Sequence, residues 1–284
     1  MIAETKKRIR QILFTKMVAS GNDFVVLEDS LGLSAISFRH LARQMCDRKT
    51  GVGADGLLVL GKTKSADIRM RIFNADGSEA EMCGNGARCS ALYMSRQSSV
   101  VVGQKRLKIE TIAGIIEAQV NELDVRIKLT EPKDIKLDIP IKINNRKLKV
   151  NFVNTGVPHT VIFVQGLDDI DVFNLGREIR FNKRFAPAGA NVNFIEIINK
   201  DSIRIRTYER GVEDETLACG TGSVASALIT ACRLSLVPDG SINIHTQSGE
   251  VLKVYFQREE ALFKDVWLQG GARLVYRGQY FPLV

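Results

Sequence analysis

The strongest constraint on what this chain can fold into is that it repeats itself. Asp67-Ile-Arg-Met-Arg-Ile-Phe-Asn74 is echoed by Ser202-Ile-Arg-Ile-Arg-Thr-Tyr-Glu209, a shift of 135 positions. Glu79-Ala-Glu-Met-Cys-Gly-Asn-Gly86 is echoed by Glu215-Thr-Leu-Ala-Cys-Gly-Thr-Gly222 at a shift of 136, and Ile109-Glu-Thr-Ile-Ala-Gly114 by Ile244-His-Thr-Gln-Ser-Gly249 at 135. More loosely, Gly21-Asn-Asp-Phe-Val-Val-Leu27 is echoed by Asn191-Val-Asn-Phe-Ile-Glu-Ile197. The order is the same in both halves and the shift is nearly constant for three of the four. Chance does not produce this, and the natural reading is two similar domains, each about half the chain. At about 150 residues per domain, 284 residues agree with that division.

The local patterns say what each copy is built from. Ile68-Arg-Met-Arg-Ile-Phe73 and Ile203-Arg-Ile-Arg-Thr-Tyr208 alternate with period 2, as half-buried strands do. So do Leu107 to Ile112, Val125 to Leu129 and Leu252 to Phe256. Each Cys-Gly-x-Gly is followed by small and apolar residues, Ala87 to Met94 and Ser223 to Leu234, which read as buried helices opened by the glycines. Ser37 to Cys46 and Val172 to Phe181 read as further helices, and Pro238-Asp-Gly240 as a turn. Strands dominate, so the expected class is α+β: two pseudo-symmetric α/β domains made by internal duplication. The strand pattern ends near Glu131-Pro132, which places the domains at 1–130 and 131–271. Ala272 to Gly278 has no counterpart in the repeat, and residues 272–284 are expected to return to the first domain as an added strand.

Composition narrows the class of protein. Hydrophobic residues at 45% and charged residues at 25% exclude a disordered chain. Lys+Arg 40 against Asp+Glu 32 leaves +8, which allows an anionic partner but reads as solvated surface, so no nucleic acid is expected. Five cysteines without a CxxC argue against a small disulfide-framed fold, and three histidines without tight Cys/His spacing argue against a metal. The basic start MIAETKKRIRQILF has no apolar segment of signal-peptide length. Thr216 to Cys232 is uncharged but falls short of the roughly 18 apolar residues of a membrane span. A reduced, cytoplasmic protein without a membrane segment is the expectation.

The chemistry lies in the doubled Cys-Gly-x-Gly. Cys83 and Cys219 each precede two glycines and a helix start, where open N–H groups and the helix dipole favour a thiolate and can hold a carboxylate. Two such thiols on two similar domains suit a cleft reaction in which a proton leaves one face of a carbon and returns on the other. One cysteine is the thiolate base and the other the thiol acid, and they exchange roles in reverse. No cofactor is required. Cys46, Cys89 and Cys232 read as packing residues. A dinucleotide loop, a thiol–metal site and a redox pair are the competing readings of the same motif, and each lacks part of its own signature.

The two long echoes also resemble a known family. Phe73-Asn-Ala-Asp-Gly-Ser-Glu-Ala-Glu-Met-Cys-Gly-Asn-Gly-Ala-Arg-Cys89 resembles the first active-site signature of the diaminopimelate epimerases, and Arg206 to Gly222 the second. Gly21-Asn-Asp-Phe24, Gly51-Val-Gly-Ala-Asp-Gly56, Pro158-His159 and Asn191-Val-Asn-Phe194 are similar to that family in the same order, over roughly residues 12 to 280. The resemblance implies a cofactor-independent epimerase of LL- and meso-2,6-diaminopimelate, serving lysine and peptidoglycan synthesis, with its active site between two pseudo-symmetric domains. It implies Cys83 and Cys219 as the acid/base thiols, with His159 tuning Cys83 and Glu209 tuning Cys219. It implies Asn22, Asn74, Asn191, Glu209 and Arg210 as substrate contacts, with Gly84, Asn85, Gly220 and Thr221 contributing at the helix starts. Arg210 suits a distal carboxylate held bidentately. The chain departs from the family pattern at Val157, where many members carry Asn, and at Gly56, where some carry Gln. A related racemase for another amino acid, a non-catalytic amino-acid-binding protein and a homodimeric assembly stay open.

Overall fold

A computed structural model of the chain describes residues 11–29, 35–97, 105–143, 146–234, 239–260 and 262–282. The basic extension over residues 1–10 and Pro238 of the expected turn lie outside the described residues. Two units are separated: Met1–Leu123 with Ala272–Val284, and Asp124–Gly271.

The first unit runs β1 (Ile12–Ala19), β2 (Asn22–Glu28), α1 (Ala35–Cys46), β3 (Gly56–Gly61), β4 (Ile68–Asn74), β5 (Glu79–Ala80), α2 (Gly84–Gln97), β6 (Lys105–Thr111) and β7 (Gly114–Asn121). The paired strands are antiparallel except β2/β3 and β4/β6, which are parallel. A parallel pair needs a crossover, and the two helices supply it. Helix α1 joins β2 to β3, and α2 lies between β4 and β6.

The second unit runs β8 (Asp124–Lys128), β9 (Lys133–Ile143), β10 (Arg146–Asn154), β11 (Pro158–Phe163), α3 (Val172–Arg180), β12 (Asn191–Asn199), β13 (Ser202–Glu209), β14 (Asp214–Thr216), α4 (Gly220–Arg233), β15 (Asp239–His245), β16 (Val251–Glu259) and β17 (Leu262–Gly271). Its parallel pairs are β11/β12 and β13/β15, again crossed by helices, α3 and α4. Finally β18 (Arg273–Tyr280) pairs antiparallel with β1 of the first unit.

The repeat is visible in the strand register. Phe24 faces Gly56 across β2/β3, and His159 faces Asn191 across β11/β12. Ile68 faces Ile109, and Ile203 faces Ile244. All four positions map onto their counterparts with the shift of 135 seen in the sequence. The loose fourth echo is therefore a coincidence of composition. Strand β2 corresponds to β11, and β12 corresponds to β3. The segments look alike because β2 and β12 are both inner strands with long buried runs, which calls for similar residues at different places.

The units part at Leu123–Asp124 rather than near Glu131-Pro132. Strand β8 pairs with β17, so residues 124–130 belong with the second unit. The alternation from Val125 to Leu129 shows a strand; it says nothing of which partner that strand takes.

In each unit one helix is surrounded by strands. Helix α2 packs against β1 to β4, β6, β7 and β18 and is buried from Asn85 to Tyr93. Helix α4 packs against β10 to β13 and β15 to β17 and is buried from Gly222 to Ala231. Small side chains (Gly, Ala, Ser, Thr) let so many strands approach. A second helix covers the outer face of the sheet. In the first unit Phe38, Leu41 and Met45 of α1 meet Val25, Leu27, Leu57 and Val59. In the second, Val172 and Ile179 of α3 meet Ile162, Val192, Phe194 and Tyr208. Apolar side chains dominate both centres, with a few buried polar groups such as Arg88 and His159 among them. None of the helices among the described residues is long and apolar enough to cross a membrane.

Candidate active site

The two cysteine turns are built alike. Hairpin β4–β5 leads to Cys83, and α2 begins at the next residue; hairpin β13–β14 leads to Cys219, and α4 begins at Gly220. Each hairpin is closed by an identical ion pair. Arg71 Nε and Nη2 donate to the two Glu79 oxygens at 2.7 and 3.0 Å, and Arg206 donates in the same way to Glu215 at 2.7 and 2.8 Å. A bidentate guanidinium fixes orientation as well as distance, so the approach to each sulfur is rigid. Gly86 N–H donates to Cys83 Sγ at 3.4 Å. Cys219 is the N-cap of α4, and its Sγ lies 3.5 Å from Thr221 Oγ1. Both sulfurs stand at the positive end of a buried helix, where the thiolate is favoured.

In the first unit the residues beside Cys83 are amides held by fixed charges. Asn22 Nδ2 donates to Asp55 at 2.8 Å, which leaves Asn22 Oδ1 to accept from Asn85 Nδ2 at 3.3 Å. Asn85 Oδ1 accepts from Arg88, fully buried in α2, at 2.5 Å. Asp55 and Asp23 share Arg48, and Lys16 reaches Asp23 at 2.6 Å. Burial pulls the Asp23 carboxyl up, but the hydrogen bonds from Arg48 and Lys16 outweigh it and hold the carboxyl well below its ordinary value. The structure thus links Asn22 and Asn85 at the helix start that follows Cys83. Asn74, at the end of β4, donates instead to Ser78 Oγ in its own turn at 2.9 Å.

The second unit gathers groups that can change protonation. His159 is fully buried on β11. Asn193 Nδ2 lies 3.1 Å from its Nδ1 and also donates to Thr160 O at 2.9 Å, while Asn193 Oδ1 accepts from Thr207. With an N–H aimed at Nδ1, that nitrogen accepts and the imidazole is neutral. Burial, helped by the charge of Arg210, pushes its pKa down to about 3. Asn191 Oδ1 accepts from the Arg210 N–H at 2.8 Å, and Asn191 Nδ2 lies 3.5 Å from His159 Nε2. Glu209 ends β13; burial raises its carboxyl pKa, and the 2.9 Å hydrogen bond from Thr216 Oγ1 offsets part of that rise. Thr155 Oγ1 donates to Thr221 O at 3.3 Å, which ties the loop before β11 to the start of α4. His159, Asn191 and Arg210 form one linked group, and Glu209 is held by Thr216, three residues before Cys219.

Gly84 and Gly220 open the two helices. The departures from the family pattern also have a structural setting. A Cβ at Gly56 would stand 3.0 Å from the Phe73 carbonyl. Val157 closes the loop before β11, its carbonyl accepting from Thr155 N–H at 3.1 Å. Of the remaining cysteines, Cys46 and Cys89 are buried and Cys232 is half-buried. Burial pushes the Cys46 thiol up to about 12 and raises Cys232, which suits packing rather than reactivity.

Sequence reasoning passed over three side chains that organise these groups. Asn193 shares a face of β12 with Asn191, and strand alternation could have found it. Arg88 and Asp55 lie within quoted motifs, but no local pattern shows that they meet Asn85 and Asn22. Among the described residues, no three His, Cys, Asp or Glu side chains gather to hold a metal ion.

The profile of the family described as diaminopimelate epimerase matches residues 14–133 and 151–273. This chain belongs to the diaminopimelate epimerase family. Diaminopimelate epimerase of Aquifex aeolicus (strain VF5) is 40% identical over 277 residues, covering 94% of this chain and 96% of the relative. The Chlorobaculum tepidum diaminopimelate epimerase is 42% identical over 263 residues, covering 92% and 98%. Among solved structures, a Bacillus anthracis phenazine biosynthesis protein of the PhzF family superposes with a TM-score of 0.75 at 20% identity, covering 97% of this chain and 100% of that one. That likeness extends the fold well beyond the diaminopimelate epimerases.

Proposed function

We propose that this protein interconverts LL- and meso-2,6-diaminopimelate by two-base proton transfer at one α-carbon, as a step in making lysine and peptidoglycan precursors. The observation that carries the reading is the doubled thiol at a helix start, present in a chain about 40% identical over nearly its whole length to diaminopimelate epimerases. Cys83 and Cys219 act on opposite faces of the reacting carbon. One thiolate takes the α-hydrogen as a proton, leaving the electron pair on the carbon and its carboxylate; the other thiol delivers a proton to the opposite face. In the reverse direction the thiols exchange roles, so nothing is consumed. The helix N–H groups take up the charge that grows on the carboxylate, which acidifies the α-hydrogen.

His159 is assigned to Cys83 and Glu209 to Cys219 as tuning groups. With its pKa held near 3, His159 is too weak a base to remove the α-hydrogen itself, and it serves by hydrogen bonding. Asn22, Asn74, Asn85 and Asn191 read carboxylate and ammonium groups, Gly84, Gly220 and Thr221 present the helix starts, and Arg210 takes the distal carboxylate. The reaction calls for no cofactor, nucleic acid or membrane, and a reducing cytoplasm keeps both thiols available. Incubation with LL-diaminopimelate in deuterated water tests the reading. Exchange of one α-hydrogen with appearance of the meso isomer supports it, and a folded protein that exchanges nothing overturns it. Val157 favours a second reading, a cofactor-independent racemase for a different amino acid, because it removes an amide many family members carry. Exchange of another amino acid in preference to diaminopimelate would select that reading.

A further inference from the structure

The repeat changes its shift at one place. Asn74 and Glu209 are 135 positions apart, whereas Glu79 and Glu215 are 136 apart, so the second copy carries one extra residue in its hairpin turn. In the first copy the turn is small, closed by Gly77 at φ +82 and by Asp76 accepting from the Ser78 N–H and hydroxyl. In the second copy the turn is Arg210-Gly-Val-Glu213, and the extra length presents Arg210.

Glu213 holds this longer turn. Its backbone is left-handed, at φ +57, which is uncommon for a residue with a side chain. Its N–H donates to Glu209 O at 2.8 Å. One carboxylate oxygen accepts from Gly211 N–H at 3.0 Å and from Arg180 Nε and Nη2 at 3.2 and 3.0 Å; the other accepts from Tyr208 OH at 3.3 Å. Arg180, the last residue of α3, also donates through Nη1 to Ala188 O at 3.1 Å. Arg210 Nη1 reaches that same carbonyl at 3.4 Å. Gly189 makes the room, since a Cβ there would stand 1.8 Å from Arg180 Nη1. On the other side of the turn, Arg210 N–H is held by Asn191.

We infer that Arg180 and Glu213 are positioning residues that set the reach of Arg210 and thereby select a substrate with a second carboxylate. This rests on the proposed function for the assignment of that carboxylate to Arg210. A guanidinium on a long stem loses affinity when its base can wander, because rotamer freedom must then be given up on binding. The Arg180–Glu213 pair removes that freedom beforehand, from a side of the turn that makes no contact with substrate in this scheme.

The test is a double-mutant cycle on steady-state turnover of LL-diaminopimelate, with affinity for the meso isomer followed by calorimetry. Glu213→Gln is expected to raise KM about tenfold with kcat within about twofold. Arg180→Lys keeps the charge but loses the fork, and is expected to shift KM in the same direction. In an Arg210→Met background, Glu213→Gln is expected to add no further loss of affinity, because it acts through Arg210. Losses that multiply in that background, or a fall in kcat without a change in KM, overturn the inference. Should Glu213→Gln melt out at assay temperature, Arg180→Lys in the two backgrounds makes the same comparison. A wild-type protein that turns over nothing marks failure of the proposed reaction; multiplying losses in an active protein mark failure of the positioning role alone.

Discussion

The two cysteine turns share a backbone and differ in company. Around Cys83 the neighbours are Asn22 and Asn85, held by Arg88, Asp55, Asp23, Arg48 and Lys16. In the second copy the equivalent positions have changed type. Glu209 stands where the first copy has Asn74, His159 where it has Phe24, and Asn191 where it has Gly56. Duplication has kept the thiol, the glycines and the Arg–Glu pair of each hairpin, while the polar neighbours have diverged. In the proposed reaction the carbon has two faces that need equal chemistry, but the rest of the amino acid is not symmetric. One half can therefore hold a fixed polar frame while the other carries the buried His159 and Glu209 and the longer turn with Arg210.

The largest effect expected bears on what the halves share. Cys83→Ala and Cys219→Ala should each lower LL-to-meso conversion about a thousandfold or more with the fold intact. Substantial activity in either variant, measured with circular dichroism as the folding control, would break the equivalence of the two thiols.

The next contrast lies at the second glycine of each motif. A Cβ at Gly222 would stand 2.4 Å from Asn193 Oδ1, in a buried amide already committed to Thr160, Thr207 and His159. A Cβ at Gly86 would meet the end of the Leu58 side chain at 3.0 Å. Gly222→Ala should therefore cost about 3 kcal/mol in urea unfolding, at the upper end for overpacking. Gly86→Ala should stay within about 1 kcal/mol, because Leu58 can shift and the helix gains propensity. Equal costs would show that the two helix starts are equally tight.

Protonation separates the halves further. His159 has a folded pKa of about 3 against 6.5 for the ordinary side chain. Between those values the unfolded chain holds a proton the folded one does not. Its contribution is therefore complete above pH 6.5 and is lost as pH falls, reaching about 2 kcal/mol at pH 5. His159→Gln should remove that increment from the pH dependence of unfolding; an unchanged slope would mean that His159 is not buried neutral. The smallest effect concerns Glu209. Burial raises its pKa and Thr216 lowers it, so Thr216→Val should raise it further and move the acid limb of kcat/KM to higher pH, at about 1 kcal/mol of stability. A profile that moves the other way would reverse the assigned role of that hydroxyl.

Much of this was legible in the residues, and for physical reasons. Period-2 alternation marked β4, β6, β8, β13 and β16, because a strand with one buried face must alternate. The helices after each cysteine were legible from their small residues, and the thiols from their place before paired glycines. The errors have an equally plain origin. Two inner strands of different position, β2 and β12, share a composition because both are deeply buried, so local likeness mistook one for a copy of the other. The strand pattern points to a boundary seven residues later than the observed one, because alternation marks a strand without naming its partner.

By itself the sequence determined the duplication, the class of each element, the paired cysteine turns and the family. All of these are written in local pattern or in identity along the chain. The tertiary structure decided which strand pairs with which and which fixed charges orient Asn22 and Asn85. It also decided that Asn193 faces His159, and that Arg180 and Glu213 hold the turn of Arg210. Many of those contacts join residues far apart along the chain, 33 positions for Asn22–Asp55 and for Arg180–Glu213 and 34 for Asn193–His159. They follow from strand register and from the packing of helices against sheets, which no short window of sequence contains.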